Sequence, residues 1–174
     1  MQLLRPTQKQ NLRTNITWFL TQAEAHRLNW EYSQQRPFHG FGVPPAMAHI
    51  ADCSSYCSLA FNWAMHKIKL YINDPLDHYY NGTGYTGSLL HYCIDHPVGN
   101  DKFLVGDFAL FGPSLGDTHH VSICAKAGNT KTAGFSSNGH ESWRFISDAP
   151  ERITLAHEKA QQHLLGVYRH PQLI

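Results

Sequence analysis

The chain has 174 residues and a mass of 19.7 kDa, with 42% hydrophobic and 16% charged residues. This length and composition fit one folded domain and exclude a disordered charged tail or a coiled coil. Lys and Arg exceed Asp and Glu by only 14 to 13, so the net charge of +1 provides no basic surface for a phosphate backbone. We therefore expect no nucleic-acid partner.

Neither a targeting segment nor a disulfide framework is indicated. The first twenty residues carry basic side chains and lack the apolar core of a secretory signal, and no later run approaches the length that crosses a bilayer. We expect no signal peptide and no membrane partner. The four cysteines, which are too few for a disulfide scaffold and are predicted to be reduced, are Cys53, Cys57, Cys93 and Cys124.

Helical periodicity fills the first half of the chain, and short β-rich runs fill the second half. Helices are predicted at residues 8–32, 53–68 and 88–95. Loops rich in Pro, Gly and other turn formers are predicted at residues 35–45 and 72–87. Strands are predicted at residues 107–111, 119–125, 130–136 and 164–168.

Helices followed by strands are typical of an α+β protein with an antiparallel sheet, because a parallel sheet needs alternating strands and helices. We predict one domain over residues 1–174. Residues 1–34 form its amino-terminal helical part, and residues 151–174 form a carboxy-terminal segment that closes the sheet.

Cys53 is the first candidate for chemistry. Asp52 or a neighbour is a suitable N-cap, which puts Cys53 in the first turn of the second helix. Unpaired N–H groups and the helix dipole stabilise a thiolate there, and the same N–H groups can stabilise an oxyanion on an attacked carbonyl. A lone cysteine at such a position is more often a small buried residue, so catalysis also needs a base.

His120 is the candidate base. In the run of residues 119–124 (HHVSIC), alternation turns His120, Ser122 and Cys124 away from the aliphatic Val121 and Ile123. We interpret His119 as a polar residue at the end of the strand. A lone strand histidine is usually structural, but a thiol at a helix start followed by a sheet lets an imidazole approach the thiol.

A third group is needed to orient the imidazole. Asn138, His140 and Glu141 can each reach it, and the sequence leaves the three alternatives open. The Asn138-Gly139 pair alone favours a polar hairpin turn.

Several strings resemble motifs of the NlpC-type cysteine peptidases, which are papain-like cell-wall hydrolases of bacteria and their phages. Residues 52–56 (DCSSY) resemble the nucleophile motif Asp-Cys-Ser-Gly-Phe. Residues 106–111 (GDFALF) are similar to the strand Gly-Asp-Leu-Val-Phe-Phe, and residues 120–123 (HVSI) to His-Val-Gly-Ile. Residues 81–87 (NGTGYTG) and 137–141 (SNGHE, against Ser-His-Gly-x-Glu) resemble a subgroup associated with phages of actinobacteria.

The resemblance implies that Cys53 is the nucleophile, His120 the general base and acid, and Asn138 the orienting residue. Asn138 stands where the subgroup more often has histidine, and its carbonyl can hold the imidazole tautomer. Ser55 replaces a glycine and is expected to crowd the substrate groove. The residues expected to contribute to substrate binding are Asp52, Ser54, Tyr85, His119, His140 and Glu141.

The resemblance also implies a papain-like fold, with amino-terminal helices packed on a central antiparallel sheet. The implied activity is cleavage of an amide bond in a peptidoglycan stem or cross-link peptide through a cysteine thioester, without metal or cofactor. Endopeptidases of the stem peptide and amidases at muramic acid share these motifs, so both bonds stay open. The expected partners are bacterial peptidoglycan and other phage tail or virion proteins, and the expected location is a virion or the host cytoplasm until lysis.

Two other accounts compete with catalysis. Zinc could bind His91, Cys93 and His96, or the pair Cys53 and Cys57, although neither set has the spacing of a zinc knuckle. The chain could also be a virion or tail protein that keeps the fold and holds a partner at a degenerate site, since fold does not imply function.

Overall fold

The structure is a computed structural model that describes residues 4–35, 37, 39–70, 85–99, 102–126, 131–137, 143–146 and 163–174. The helices of these ranges are α1 (Pro6–Ala25), α2 (Cys53–Lys67) and α3 (Thr86–Cys93), with short 3-10 turns at Arg27–Asn29 and Pro171–Leu173. The strands are β1 (Trp30–Tyr32), β2 (His49–Ala51), β3 (Pro97–Val98), β4 (Phe108–Phe111), β5 (His120–Lys126), β6 (Lys131–Ser137), β7 (Trp143–Ile146) and β8 (Leu164–Tyr168).

Six of the strands form one antiparallel sheet in the order β3-β8-β4-β5-β6-β7. The α+β prediction is therefore confirmed. Strand β8, from the carboxy-terminal segment, lies between β3 and β4. A separate pair, β1 and β2, is parallel and was not predicted. No helix in the described ranges combines the length and the apolar character needed to cross a bilayer.

The helices pack on one face of the sheet. Helix α1 buries the apolar stripe that the sequence predicts, and α2 is buried from Cys53 to Met65. Alternate strand residues Phe108, Leu110, Val121 and Ile123 join this helical core. The opposite face carries a second cluster, made by Phe103, Ala109, Phe111, Cys124 and Val167.

A buried carboxylate ties α1 and β8 to the start of β4. Asp107 is fully buried and accepts two hydrogen bonds of 2.8 Å from Arg169, through Nε and Nη2. Nη1 of Arg13 lies 4.0 Å from Asp107 and donates to the carbonyl of Val105. The hydrogen bond to Asp107 raises the pKa of Arg169, whereas burial lowers the pKa of Arg13.

Gly106 allows this corner to form. Its φ of +90° lies in the left-handed region that favours glycine. A Cβ at this position would lie 2.8 Å from Cδ1 of Ile16 on α1. The glycine of the GDFALF string is therefore explained by backbone conformation and by the close approach of α1.

The end of the first predicted helix and the start of the third differ from the prediction for identifiable reasons. The helix predicted over residues 8–32 ends at Ala25. Trp30 instead belongs to β1, where it lies opposite His49 of β2, and the two rings stack with their centroids 4.1 Å apart. Helix α3 begins at Thr86, inside the predicted connector, because Tyr85 caps it. The Tyr85 N–H donates to Ser88 Oγ at 3.3 Å, and the Tyr85 carbonyl accepts from the Ser88 N–H at 2.9 Å.

Candidate active site

Helix α2 begins at Cys53 because Asp52 caps it. The Asp52 carboxylate accepts a hydrogen bond of 2.8 Å from the Ser55 N–H, and the Ser55 hydroxyl accepts one of 2.7 Å from the Asp52 N–H. This reciprocal capping box fixes the first turn. As the first two residues of the helix, Cys53 and Ser54 have N–H groups with no intrahelical acceptor. The predicted helix start at Cys53 is confirmed.

Ser55 takes part in the cap itself. Its side chain is fully buried, and its hydroxyl also donates to the Asp52 carboxylate at 2.8 Å. This serine therefore serves the helix cap. The spacing Asp-x-x-Ser in the sequence carried this signal, because a short polar residue three positions after an N-cap can bond back to it.

Asp52 and Ser54, which were expected to contact substrate, are both buried. Ser54 Oγ donates to the Asp52 carboxylate at 3.0 Å, and Ser54 also accepts at its carbonyl from Ser58 Oγ. Their hydrogen bonds thus hold the beginning of α2, and their contribution to substrate binding stays a prediction.

The thiol of Cys53 meets the beginning of a second helix. Its side chain is 6% exposed, and Sγ lies 3.9 Å from Oγ1 of Thr86, the first residue of α3. Tyr85, one residue earlier, is exposed. Sequence reasoning missed Thr86, because nothing in the pattern brings residues 33 positions apart together.

His120 lies at the beginning of β5, directly opposite Phe111 of β4. The two rings are 5.7 Å apart, and Phe111 belongs to the cluster on the face of the sheet away from the helices. His120 is buried. Val121, the next residue, joins the core on the helical side of the sheet, as the predicted alternation requires. Cys53 thus contacts Thr86, and the His120 ring contacts Phe111.

A short chain of neighbours connects the two candidate residues. Gly87 follows Thr86, and a Cβ on Gly87 would lie 3.5 Å from Oγ1 of Thr118. Thr118 is two residues before His120. The beginnings of α2 and α3 and the approach to β5 thus converge.

His119 lies between Thr118 and His120. Its side chain is 60% exposed, and Nε2 is 2.8 Å from the Asp117 carboxylate. The predicted strand therefore starts one residue later, at His120.

Asn138, His140 and Glu141 lie outside the described residues. Strand β6 ends at Ser137 and pairs antiparallel with β5, with Ala133 opposite Ile123. The end of β6 therefore approaches the beginning of β5, where His120 lies.

The residues proposed for zinc do not converge in the described part of the chain. Cys93 is buried, and burial raises the pKa of its thiol well above the ordinary value, while His91 is exposed. Within the described ranges, no three His, Cys, Asp or Glu side chains are arranged to hold a metal ion. All four cysteines are free thiols, as predicted.

Comparison with known proteins gives no assignment, since neither a protein-family model nor a curated protein sequence matches this chain.

Proposed function

We propose that the protein is an NlpC-type cysteine hydrolase that cleaves an amide bond in the peptide part of bacterial peptidoglycan. The observation that carries the proposal is the position of Cys53 at the first residue of a capped helix, beside the Thr86 hydroxyl at 3.9 Å. A thiol there is close to N–H groups that favour both a thiolate and an oxyanion.

The fold supports the same proposal. Helices that precede an antiparallel sheet and pack on one of its faces suit the papain-like NlpC architecture, with the nucleophile at a helix start and a histidine at the beginning of a sheet strand. The GDFALF string forms the β4 strand beside β5, in the order that the resemblance implies.

In the proposed reaction, the Cys53 sulfur attacks the amide carbonyl carbon while His120 takes the thiol proton. The N–H of Cys53 stabilises the resulting oxyanion. His120 then gives the proton to the departing amine, the C–N bond breaks, and a thioester remains. Water, deprotonated by His120, attacks the thioester and releases the carboxylate and the thiol.

Proton transfer from the Cys53 thiol to His120 requires that the two side chains approach each other. The imidazole must turn from its contact with Phe111 toward the beginning of α2, around the beginning of β5 where Thr118 and Gly87 adjoin. Asn138 is proposed to hold the ring in the productive tautomer. A phage origin, with delivery in a virion or release at lysis, is part of the proposal.

The experiment is digestion of purified actinobacterial cell wall, with the soluble products identified by mass spectrometry. Wild-type protein is expected to release fragments with new amine and carboxylate ends, and the products identify the bond. Cys53→Ala is expected to release none. Cys57→Ala, which removes a thiol from the next turn of the same helix, serves as the matched control and should remain active.

Two outcomes would contradict the proposal. Undiminished release by Cys53→Ala would reject this nucleophile. Binding of wild-type protein to the cell wall without release of any fragment would favour a structural virion component with a degenerate site.

A further inference from the structure

Strand β2 exposes one backbone edge just before the nucleophile. In its parallel pairing with β1, Glu31 lies opposite Ile50 and Tyr32 lies opposite Ala51, and the Ser33 N–H donates to the Ala51 carbonyl at 3.0 Å. In a parallel ladder, alternate residues direct both their N–H and C=O groups to the same neighbour. Because Ala51 faces β1, the N–H and C=O of Ile50 point to the other edge.

That edge is open in the described part of the chain. No hydrogen bond among the described residues uses the N–H or the C=O of Ile50. Its side chain is 52% exposed. An unpaired strand edge of this kind accepts an extended chain as an additional strand.

A cavity of about 340 Å³ adjoins the edge. Its described lining contains no Asp, Glu, Lys or Arg side chain and consists of Gln35, Pro37, His39, Gly40, Ala48, His49 and Ile50. Gly40 keeps the wall close to His49, since its φ is +109° and a Cβ there would lie 2.9 Å from Nδ1 of that ring. The described part of the lining therefore suits an uncharged group.

The edge is also aligned with the candidate active site. Ile50 precedes Cys53 by three residues of extended chain, which spans roughly 10 Å at about 3.3 Å per residue. A peptide that lies along this edge can thus present a bond about three residues further on to the thiol.

We propose that the Ile50 edge of β2 and the adjoining cavity form a peptide-binding subsite for the substrate. The Ile50 N–H donates to a substrate carbonyl, the Ile50 C=O accepts from a substrate N–H, and an uncharged side chain of the same peptide occupies the cavity. This inference rests on the proposed function, because it assigns the peptide of the cell wall as the occupant.

The first test compares two substitutions at Ile50 in a Cys53→Ala background, which binds peptide without cleaving it. Proline removes the N–H, and it is tolerated at an edge position whose N–H faces away from the sheet. Valine keeps the N–H and most of the side chain. With a synthetic stem tetrapeptide as the probe, Ile50→Pro is expected to bind roughly 2- to 10-fold more weakly than Ile50→Val, the effect of one hydrogen bond.

The second test leaves the backbone of the protein intact. Tetrapeptides methylated on one amide nitrogen at a time are titrated into Cys53→Ala protein, and the amide NMR signal of Ile50 is followed. One position of methylation is expected to weaken binding by a similar factor and to reduce the shift of the Ile50 signal. Folding of each protein variant is checked by circular dichroism.

Equal affinity of the proline and valine variants, together with equal effects of methylation at every position, would overturn the subsite. A shift of the Ile50 signal that follows protein concentration without peptide would also overturn it, in favour of pairing between two copies. If wild-type protein hydrolyses cell wall but the proline and valine variants at Ile50 bind the peptide equally, the subsite alone is rejected. Peptide binding that depends on Ile50, without hydrolysis by wild-type protein, would reject the proposed function alone.

Discussion

Oγ1 of Thr86 lies 3.9 Å from Sγ of Cys53, so the beginnings of α3 and α2 meet at one thiol. Both side chains are buried, and the hydroxyl can donate to a thiolate. This contact explains why a helix that starts 33 residues after Cys53 belongs to the candidate active site.

We expect Thr86→Val to slow the reaction of Cys53 with iodoacetamide at pH 7 by about 3- to 10-fold, because the substitution removes a donor to the thiolate at nearly constant volume. Thr86→Ser keeps the hydroxyl and should react close to the wild-type rate. The rates are measured on folded protein by mass spectrometry of the Cys53 peptide. Equal rates for the two variants would show that the hydroxyl does not act on the thiol.

His120→Ala should reduce cell-wall hydrolysis by roughly 100-fold or more, since loss of a general acid and base typically has an effect of this size. His163→Ala is the matched control, because it removes an exposed imidazole that has no part in the proposed site. Initial rates of fragment release are compared for the two variants. Equal rates would remove His120 from the mechanism and require another base.

Local patterns predicted the parts of this fold that depend on neighbouring residues. The buried stripe of α1, the start of α2 after Asp52 and the alternation of β5 all follow from side-chain periodicity and capping. The capping role of Ser55 was missed, although the spacing of Asp52 and Ser55 already contained this signal.

The remaining features depend on contacts between distant segments. Strands β1 and β2 have three residues each, and Trp30 pairs with His49 across a Pro-rich loop. Strands this short have no sequence periodicity that could predict them. The approach of Thr86 to Cys53 likewise exists only after α3 has packed near α2. Neither relationship has a signature in the sequence of one segment.

Arg169→Ala should destabilise the protein by about 3–5 kcal/mol, because it leaves the fully buried Asp107 carboxylate without its two charged hydrogen bonds. Arg169→Lys should recover part of this loss, since an ammonium keeps the charge but not the two-point geometry. Arg27→Ala removes an exposed arginine and should change stability by less than about 0.5 kcal/mol. Urea denaturation measures all three, and similar losses for Arg169→Ala and Arg27→Ala would contradict the account.

His49 should make stability fall in mild acid. Burial lowers its pKa below the ordinary value of 6.5, so below that pH the unfolded chain binds a proton that the native state does not. The stability contributed by neutral His49 is complete above pH 6.5 and is lost as the pH falls toward the native pKa.

The test compares His49→Phe with wild type, since phenylalanine keeps a ring beside Trp30 and cannot titrate. Free energies of unfolding are measured at about pH 7.5 and pH 5.5, around the ordinary histidine pKa. The other histidines are common to both proteins, so wild type should lose more stability between the two pH values. An equal loss in both proteins would show that His49 does not contribute.

The central claim is that the thiol of Cys53 performs the hydrolysis, and the most direct measurement follows its alkylation and the hydrolytic activity in the same sample. Folded protein is treated with iodoacetamide, and at each time the modified fraction of Cys53 and the rate of cell-wall hydrolysis are determined. The account predicts that Cys53 reacts before the other three cysteines, and that activity falls in proportion to its modification. Full activity in protein whose Cys53 is completely alkylated would contradict the account.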